Sequence, residues 1–350
     1  MRSYRYRIIG VIALLMLLAV SSVRAGGFTA SIWSVAWSPD GKSLVYTVYK
    51  DGVYIANLDG EKVRLLDAEA AQWTPQWSPD GKAIITTLTV DNQAGIFRVP
   101  IKGGEPERLT EDVGWRPQYY APNGMQPQIS PDGKSIAFLS LREGDEYTSL
   151  YVMTIDGEDE RALTDVGSVG DFAWSPDGQS IALAAIPDGY NGFNDLFVVQ
   201  VADSKVTRLT TEQDVSGSPV WTPDGQQILF TAHTDNNRGR IDSIDADGSN
   251  RRVMIESGSE PVFSPDGSHI IYTSPAEKWF GLSIISASAA EAEAVTLSLP
   301  GEQAYYNPAW SPDSRQIAFV AHRFDDPNKG EAIYVVGADG VEPQRLVSSG

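Results

Sequence analysis

The stretch WSPDGKSLVYT, residues 37–47, returns in close copies along most of the chain. Each copy keeps a Ser/Thr-Pro-Asp core. The seven aspartates are Asp40, Asp80, Asp132, Asp177, Asp224, Asp266 and Asp313. Successive aspartates lie 40, 52, 45, 47, 42 and 47 residues apart. A repeat of this length is typical of solenoids and propellers, so the copies predict a repeat architecture.

The motif has the chemistry of a tight turn between two strands. Proline presets φ, aspartate bonds the backbone ahead of it, and glycine accepts a positive φ. The apolar run at residues 34–37 precedes the turn and a second run follows at residues 42–47. A second turn signal, such as Leu58-Asp59-Gly60, comes later in most periods. Each period is therefore predicted to hold four antiparallel strands joined by two tight turns.

The second strand of each period is apolar on both faces. Leu44 and Tyr46 share one face, whereas Val45 lies on the other. Such a strand needs cover on both sides, and stacking the sheets into a ring gives every sheet two neighbours. The first strands are predicted to lie innermost, since proline suits an edge strand. The prolines predicted to open these strands are Pro75, Pro127, Pro219, Pro261 and Pro308.

The predicted fold class is therefore all-β, a seven-bladed β-propeller of four-stranded antiparallel blades. Residues 26–350 are expected to form this single domain, at roughly 46 residues per blade. Five tryptophans and all seven turn aspartates recur at fixed motif positions, which indicates structural roles. The tryptophans are Trp37, Trp77, Trp174, Trp221 and Trp310.

Residues 1–25 have the pattern of a secretory signal peptide. Arg2, Arg5 and Arg7 precede an apolar run at residues 8–20, and small residues surround a cleavage position after Ala25. The run is short for a spanning helix, which needs about 20 residues. An uncleaved anchor is the alternative. The expected location is the periplasm or the extracellular medium of a bacterium, with no stable membrane span after cleavage.

Composition excludes several classes of function. The formal net charge of −19 disfavours nucleic acid as a partner, because the surface could not neutralise phosphates. The chain has no cysteine, so disulfides, thiolate nucleophiles and cysteine metal sites are excluded. Neither a HExxH nor a GxSxG motif is present. The sequence predicts no metal ligand, no cofactor and no catalytic residue.

The repeat, with WSPDGK followed by IAF, IYV, DG and RLT segments, resembles that of the TolB-like propellers. The resemblance covers nearly all of the chain after residue 25. It implies an exported bacterial propeller that serves protein contacts or accompanies a catalytic domain. The chain departs from TolB itself, which has six blades and a separate N-terminal α/β domain. The specific partners of TolB are therefore not carried over.

The loops opposite the tight turns are predicted to form the ligand-binding face. Both tight turns of a meander lie on one face of the ring, so the variable connections lie on the other, where loops on a rigid scaffold carry function. These loops are rich in aromatic and arginine side chains, the usual anchors of binding sites. The predicted binding residues are Trp73, Trp115, Arg116, Tyr119, Tyr120, Tyr190, Phe193, Trp279, Phe280, Tyr305, Tyr306, His322 and Arg323. The alternative is that they plug the channel mouth or pack on neighbouring loops.

Two classes of function remain open. The first is an exported, non-enzymatic binding or scaffold propeller for a protein, peptide or glycan of the envelope or the extracellular space. The second is a propeller enzyme, such as a polysaccharide lyase or glycosidase, with its site at the channel mouth. His233 and His322 could join acids such as Asp235, Asp325 and Asp326 in a metal or acid–base site, but no tight ligand spacing supports this. The sequence favours binding.

Overall fold

The computed structural model contains strands and turns arranged as repeated sheets. It describes residues 32–48, 51–67, 71–90, 93–110, 126–142, 145–189, 192–234, 239–275, 280–288, 294–299, 303–323 and 331–348. No helix in these ranges is both long and apolar enough to cross a membrane.

The chain forms seven blades, and each blade consists of four consecutive strands. The first four blades contain β1 (Ile32–Trp37), β2 (Ser43–Val48), β3 (Gly52–Asn57), β4 (Lys62–Asp67); β5 (Ala71–Trp77), β6 (Ala83–Val90), β7 (Gln93–Pro100), β8 (Glu107–Arg108); β9 (Gln128–Ile129), β10 (Ser135–Ser140), β11 (Ser149–Thr154), β12 (Arg161–Ala162); and β13 (Ser168–Trp174), β14 (Ser180–Ile186), β15 (Asp195–Gln200), β16 (Val206–Arg208).

The last three blades contain β17 (Val215–Trp221), β18 (Gln227–Ala232), β19 (Arg240–Asp245), β20 (Arg252–Ile255); β21 (Ser259–Phe263), β22 (His269–Pro275), β23 (Phe280–Ser286), β24 (Val295–Thr296); and β25 (Gln303–Trp310), β26 (Gln316–Arg323), β27 (Glu331–Gly337), β28 (Gln344–Ser348). All seven sheets are antiparallel meanders with the strands in chain order. The prediction of a seven-bladed, all-β propeller is confirmed.

The first strands surround the ring axis, and the second strands are buried on both faces. The first strands of adjacent blades contact one another, including β25 of blade 7 with β1 of blade 1. In blade 1, Tyr46 belongs to a core cluster with Val320 of blade 7, whereas Val45 belongs to a core cluster with Ile84 of blade 2. Alternate residues of a single strand thus enter two different cores, as the two-sided apolar pattern predicts.

The repeated motif builds the same hydrogen-bonded turn in every blade. In the first copy, the Ser38 hydroxyl donates to Asp40 Oδ1 at 2.7 Å, and the Lys42 amide donates to the same oxygen at 3.2 Å. Gly41 has a φ of 68°, in the left-handed region. In the last copy Ser314 replaces the glycine and keeps a φ of 61°. The aspartates therefore have a structural role.

In five of the seven blades, the motif tryptophan connects the blade to the blade before it. The indole of Trp37 donates to the carbonyl of Ala309 in blade 7 at 2.9 Å, and Trp221 donates to Ala173 at 3.2 Å. The remaining three indoles, of Trp77, Trp174 and Trp310, donate to the carbonyls of Ala36, Gln128 and Val262. The tryptophan is thus an inter-blade cross-link as well as a core residue.

Replacing Trp221 by phenylalanine should weaken one of these cross-links without disturbing the blade. Phe263 occupies the same motif position in blade 6, so an aromatic ring without a donor fits there. We expect the free energy of unfolding to fall by about 1–2 kcal/mol, since the Ala173 carbonyl loses its donor and some volume is lost. Urea unfolding measures the change, and an unaltered midpoint would contradict the cross-linking role.

The prolines of the first strands do not open these strands as the sequence suggested. Pro219, Pro261 and Pro308 lie inside β17, β21 and β25, next to breaks in strand register. The residue before each proline has a positive φ: 54° at Ser218, 54° at Glu260 and 51° at Asn307. Pro75 also lies inside its strand, and only Pro127 precedes one. A bulge accommodates the missing amide donor, so proline is tolerated in mid-strand.

Candidate functional site

Many of the predicted binding residues lie outside the described residues. These are Trp115, Arg116, Tyr119, Tyr120, Tyr190 and Trp279, together with Asp235, Asp325 and Asp326, which were considered as histidine partners. The backbones of Trp73 and Arg323 lie in β5 and β26, but their side chains are not described. The described part of the predicted face contains Phe193, Phe280, Tyr305, Tyr306 and His322.

Two aromatic side chains stand out on the variable face, which we define as the side of the ring that holds the second-to-third strand and blade-to-blade connections. Phe280, the first residue of β23, is 45% exposed. Tyr147 lies just before β11 and is 42% exposed. Sequence reasoning missed Tyr147, because it follows an acidic loop rather than an aromatic cluster. Both rings lie at or just before the start of a third strand, so they lie on the same side of the ring.

A stacked aromatic pair joins blades 4 and 5 on the variable face. The rings of Phe193 and His233 are 4.0 Å apart at their centroids and inclined by 25°. Both side chains are half-buried. The His233 amide donates to the carbonyl of Asp214, which holds the end of β18 against the connection from blade 4. His233 is therefore positioned by stacking, and Phe193 presents its remaining surface to solvent.

A network of ion pairs around the buried Asp242 lies between the same two blades. The carboxylate of Asp242, in the middle of β19, accepts hydrogen bonds from Nε and Nη2 of Arg240, at 2.6 and 2.9 Å. It also accepts one from Nε of Arg251, at 2.9 Å. Arg251 also forms a two-point contact with the Asp214 carboxylate, at 2.6 and 3.0 Å. The guanidinium of Arg251 lies 5.1 Å from the centroid of the Phe230 ring. The charges of this network satisfy one another within the interface.

The network replaces an aromatic residue that other blades use. Tyr46 of the second strand pairs with Tyr54 of the third strand in blade 1. The residue equivalent to Tyr54 is also aromatic in four other blades, as Phe97, Tyr151, Phe197 and Tyr334. In blade 5 the residue at that position is Asp242, opposite Phe230. The signal was present in the sequence, because β19 reads RIDSID where other third strands are apolar.

The two adjacent tyrosines of β25 have different environments. Tyr305 is buried in the core between blades 6 and 7, where its hydroxyl accepts a hydrogen bond from the Leu299 amide at 2.8 Å. Tyr306 is half-buried and donates its hydroxyl proton to Oε1 of Glu331. His322 Nδ1 lies 3.5 Å from the same oxygen, and both Glu331 and His322 are buried. The structure thus brings Tyr306 and His322 together around a carboxylate that the sequence analysis did not single out.

Two carboxylates, of Asp171 and Glu260, belong to first strands of the ring. Asp171 of blade 4 accepts the Ser218 amide of blade 5 at 2.8 Å and its neighbour's amide, from Phe172, at 2.9 Å. Burial, helped by the negative charge of Glu260, nevertheless raises the pKa of Asp171 to about 6. Glu260 belongs to blade 6, so the interaction joins the two blades that flank blade 5.

Burial also raises the pKa of Glu260, against a hydrogen bond from Thr273 at 3.1 Å. The Glu260 side chain is nonetheless exposed. The raised pKa and the exposure of Glu260 are compatible for a carboxylate on the wall of the central channel, where protein surrounds it on most sides. No group of three or more His, Asp or Glu side chains suited to a metal ion occurs among the described residues.

Two curated relatives match parts of the chain. The uncharacterized peptidase YuxL of Bacillus subtilis is 50% identical over 56 residues, which is 16% of this chain and 8% of the relative. An uncharacterized protein of Agrobacterium fabrum is 28% identical over 166 residues, covering 43% of this chain and 54% of the relative. The chain therefore spans about half of one relative and less than a tenth of the other.

Solved structures share the fold at low sequence identity. Oligogalacturonate lyase from Vibrio parahaemolyticus matches with a TM-score of 0.67 and 16% identity, over 88% of this chain and 91% of that one. TolB from Acinetobacter baumannii matches with a TM-score of 0.52 and 20% identity, over 79% and 66%. At these identities the likeness concerns the fold alone.

The sequence itself matches a family model over most of its length. The model of the TolB beta propeller domain matches residues 15–165 and 118–303. These ranges contain the first six copies of the motif. Together with the seven four-stranded blades, this match shows that the chain belongs to the TolB β-propeller domain family.

Proposed function

We propose that this protein is an exported, non-enzymatic binding propeller that recognises a protein, peptide or glycan of the bacterial envelope or surroundings through its variable face. The observation that carries the proposal is the placement of Tyr147, Phe193 and Phe280. These residues come from blades 3, 4 and 6, and all three lie at or just before the start of a third strand. Their rings are exposed or half-buried.

Such an arrangement suits binding for a physical reason. Large rings with few rotatable bonds bury much surface at a small cost in conformational entropy, and they therefore recur as anchors of interfaces. The blades hold the rings on rigid strand ends, so little order is lost when a partner binds. The pattern of residues 1–25 supports export, which places this face in the envelope or outside the cell.

The first test removes the three anchors together. We expect the variant Tyr147→Ala, Phe193→Ala, Phe280→Ala to bind its partner at least about ten-fold more weakly, because truncated aromatic anchors lose several contacts each. Partners are captured from a bacterial envelope extract with the wild-type ring and identified, and glycan arrays are screened in parallel. Titration of the captured partner or glycan then compares the variants.

A matched control distinguishes the variable face from general surface hydrophobicity. Val63 lies on the outer strand β4 and Val341 in a tight turn, and both are exposed. The double variant Val63→Ala, Val341→Ala should bind as the wild type does. Equal weakening of both variants, or no weakening of the triple variant, would remove the support for the variable face as the binding surface.

A second candidate is a propeller enzyme such as a polysaccharide lyase or glycosidase. The cluster of Tyr306, Glu331 and His322 favours it, since a tyrosine, a carboxylate and an imidazole within hydrogen-bonding reach could exchange a proton with a sugar. The similar fold of oligogalacturonate lyase suggests acidic oligosaccharides as the substrate to assay. This candidate requires turnover that disappears in His322→Ala while the fold is retained.

A further inference from the structure

The junction between blade 7 and blade 1 differs from the other six junctions of the ring. Elsewhere the chain runs from the fourth strand of one blade into the first strand of the next. Blade 7 ends with β28 and blade 1 begins with β1, the last and first described strands. Each described sheet contains only the strands of its own blade, so no strand is shared across this junction. We call this junction the seam.

Side chains hold the seam closed. An apolar cluster combines Tyr46 of blade 1 with Val320 and Ile333 of blade 7. Two polar contacts lie beside it, from the Trp37 indole to the Ala309 carbonyl at 2.9 Å and from Lys62 Nζ to the Ser348 carbonyl at 3.3 Å. A third polar contact connects the Ile32 amide, at the start of β1, to Oε2 of Glu331.

Glu331 uses both of its oxygens to join three strands. Oε2 accepts the Ile32 amide of β1, and Oε1 accepts the Tyr306 hydroxyl of β25. The His322 imidazole of β26 lies 3.5 Å from Oε1. The carboxylate is buried, so water is a poor substitute for these donors. Glu331 thus ties the start of β1 to blade 7 by a buried hydrogen bond, whereas the Trp37 indole ties the end of β1 to blade 7 by a partly buried one.

Blade 4 provides an internal comparison. Asp195 is the first residue of its third strand, as Glu331 is in blade 7. Asp195 Oδ1 accepts the Gln213 amide at 3.1 Å, in the connection that leads into blade 5. There the chain itself keeps the two blades together if the side-chain bond breaks. At the seam, blades 7 and 1 are not consecutive in the chain, so no short stretch of chain would hold them together if the Glu331 contact broke.

Tyr46 opposes closure of the seam. Its side chain is buried in the seam cluster and stacks on Tyr54 at 5.4 Å between centroids. Its hydroxyl has no hydrogen-bond partner in the described part of the chain. Phenylalanine occupies the corresponding place in three other blades, as Phe138, Phe230 and Phe319. A buried, unpaired hydroxyl regains water when the surfaces part, so it favours an open seam.

We propose that the ring opens and closes at the seam between blades 7 and 1. The Glu331 carboxylate stabilises the closed form, and the buried Tyr46 hydroxyl destabilises it. Opening parts β1 from β25 and gives the central channel an entrance from the side. The proposal does not depend on which partner the variable face binds. It concerns a motion built into the ring, on the scale of local opening that amide exchange reports.

Hydrogen exchange followed by mass spectrometry on the full chain tests the proposal with two variants of opposite effect. In Glu331→Gln the amide offers only one acceptor oxygen, so either the Ile32 amide or the Tyr306 hydroxyl loses its acceptor. We expect amides of residues 32–37 and 303–310 to exchange at least about ten-fold faster. In Tyr46→Phe the same amides should exchange several-fold more slowly. Exchange in β13 and β17 should remain as in the wild type.

Asp195→Asn is the matched control, since it removes the equivalent charge from a junction that the chain spans. It should change exchange near residues 195 and 213 and leave residues 32–37 unaffected. The proposal is overturned if Asp195→Asn loosens β1 as much as Glu331→Gln does. It is also overturned if Tyr46→Phe leaves the protection of β1 unchanged or raises protection equally in all first strands. The Tyr46→Phe result decides the matter even if Glu331→Gln does not fold.

Discussion

Replacing Asp242 by alanine is expected to lower the free energy of unfolding by about 3 kcal/mol, since removing one partner of a buried ion pair leaves uncompensated charge. The Asp242 carboxylate is buried and receives three hydrogen bonds from Arg240 and Arg251. Without it, both guanidinium groups remain in the interface between blades 4 and 5, and the carboxylates that Arg251 keeps among the described residues are those of Asp214 and the exposed Glu212. The partial exposure of the arginines sets the loss below the upper end of the range for buried pairs. Urea unfolding of the wild type and the variant measures it.

Two control variants separate the charge from the volume of the side chain. Asp242→Phe places an aromatic ring where blade 4 has Phe197, over which Arg208 lies at 5.9 Å. We expect it to lose less stability than Asp242→Ala, because Arg251 gains an aromatic surface in place of its carboxylate. Asp247→Ala removes an exposed turn carboxylate of the same blade and should change little. A loss below about 1 kcal/mol for Asp242→Ala would show that water already compensates the arginines.

The fold was predictable because its determinants are local and repeated. Each turn needs only proline, aspartate and glycine within a few residues, and the structure shows Ser38 and Asp40 completing that turn by themselves. The stacking of the sheets could be predicted from β2 alone, because its apolar neighbours Val45 and Tyr46 point to opposite faces and both must be covered. The placement of the first-strand prolines was wrong, because a bulge absorbs the lost donor and local patterns do not encode register.

The candidate site was predictable only in outline. Loop aromatics identify a face, and Phe280 lies on it as an exposed side chain. The interactions that organise the site connect residues far apart in the chain, such as Ile32 with Glu331 and Asp214 with Arg251. Neither pair shares a motif or a spacing. The different burial of Tyr305 and Tyr306 likewise depends on which side of β25 meets blade 6. The number of aromatic residues in a loop does not contain that information.

The stability of the ring is expected to pass through a maximum near pH 4, because two sets of carboxylates titrate in opposite directions. Burial raises the pKa of Asp171 from 3.8 to about 6, and burial also raises the pKa of Glu260. Between about pH 6 and pH 4, Asp171 takes up a proton in the folded ring before it does so in the unfolded chain, and the raised pKa of Glu260 acts in the same direction. Stability therefore rises as the pH falls through this window.

Below pH 4 the turn aspartates reverse the trend. Hydrogen bonds from Ser78 and from the Lys82 amide lower the pKa of Asp80 to about 2, and serine or threonine hydroxyls lower the pKa of the equivalent aspartates in the other blades. In this range the unfolded chain binds more protons than the folded ring does. Stability is therefore lost as the pH falls from about 4 towards 2.

Asp171→Asn isolates the part of the pH dependence of stability that lies above pH 4. Asparagine keeps an oxygen that can accept the Ser218 amide but carries no charge next to Glu260. At pH 7 we expect the variant to be more stable than the wild type by about 2 kcal/mol, a value reduced from the full pKa difference because the channel admits water. At pH 4 the two proteins should be equally stable within error, since Asp171 is then largely protonated in the folded ring. Urea unfolding of both proteins at intervals from pH 3 to pH 8 provides the comparison. A gain that is the same at pH 4 and pH 7 would assign the effect to packing or hydrogen bonding and contradict a charge confined at the centre of the ring.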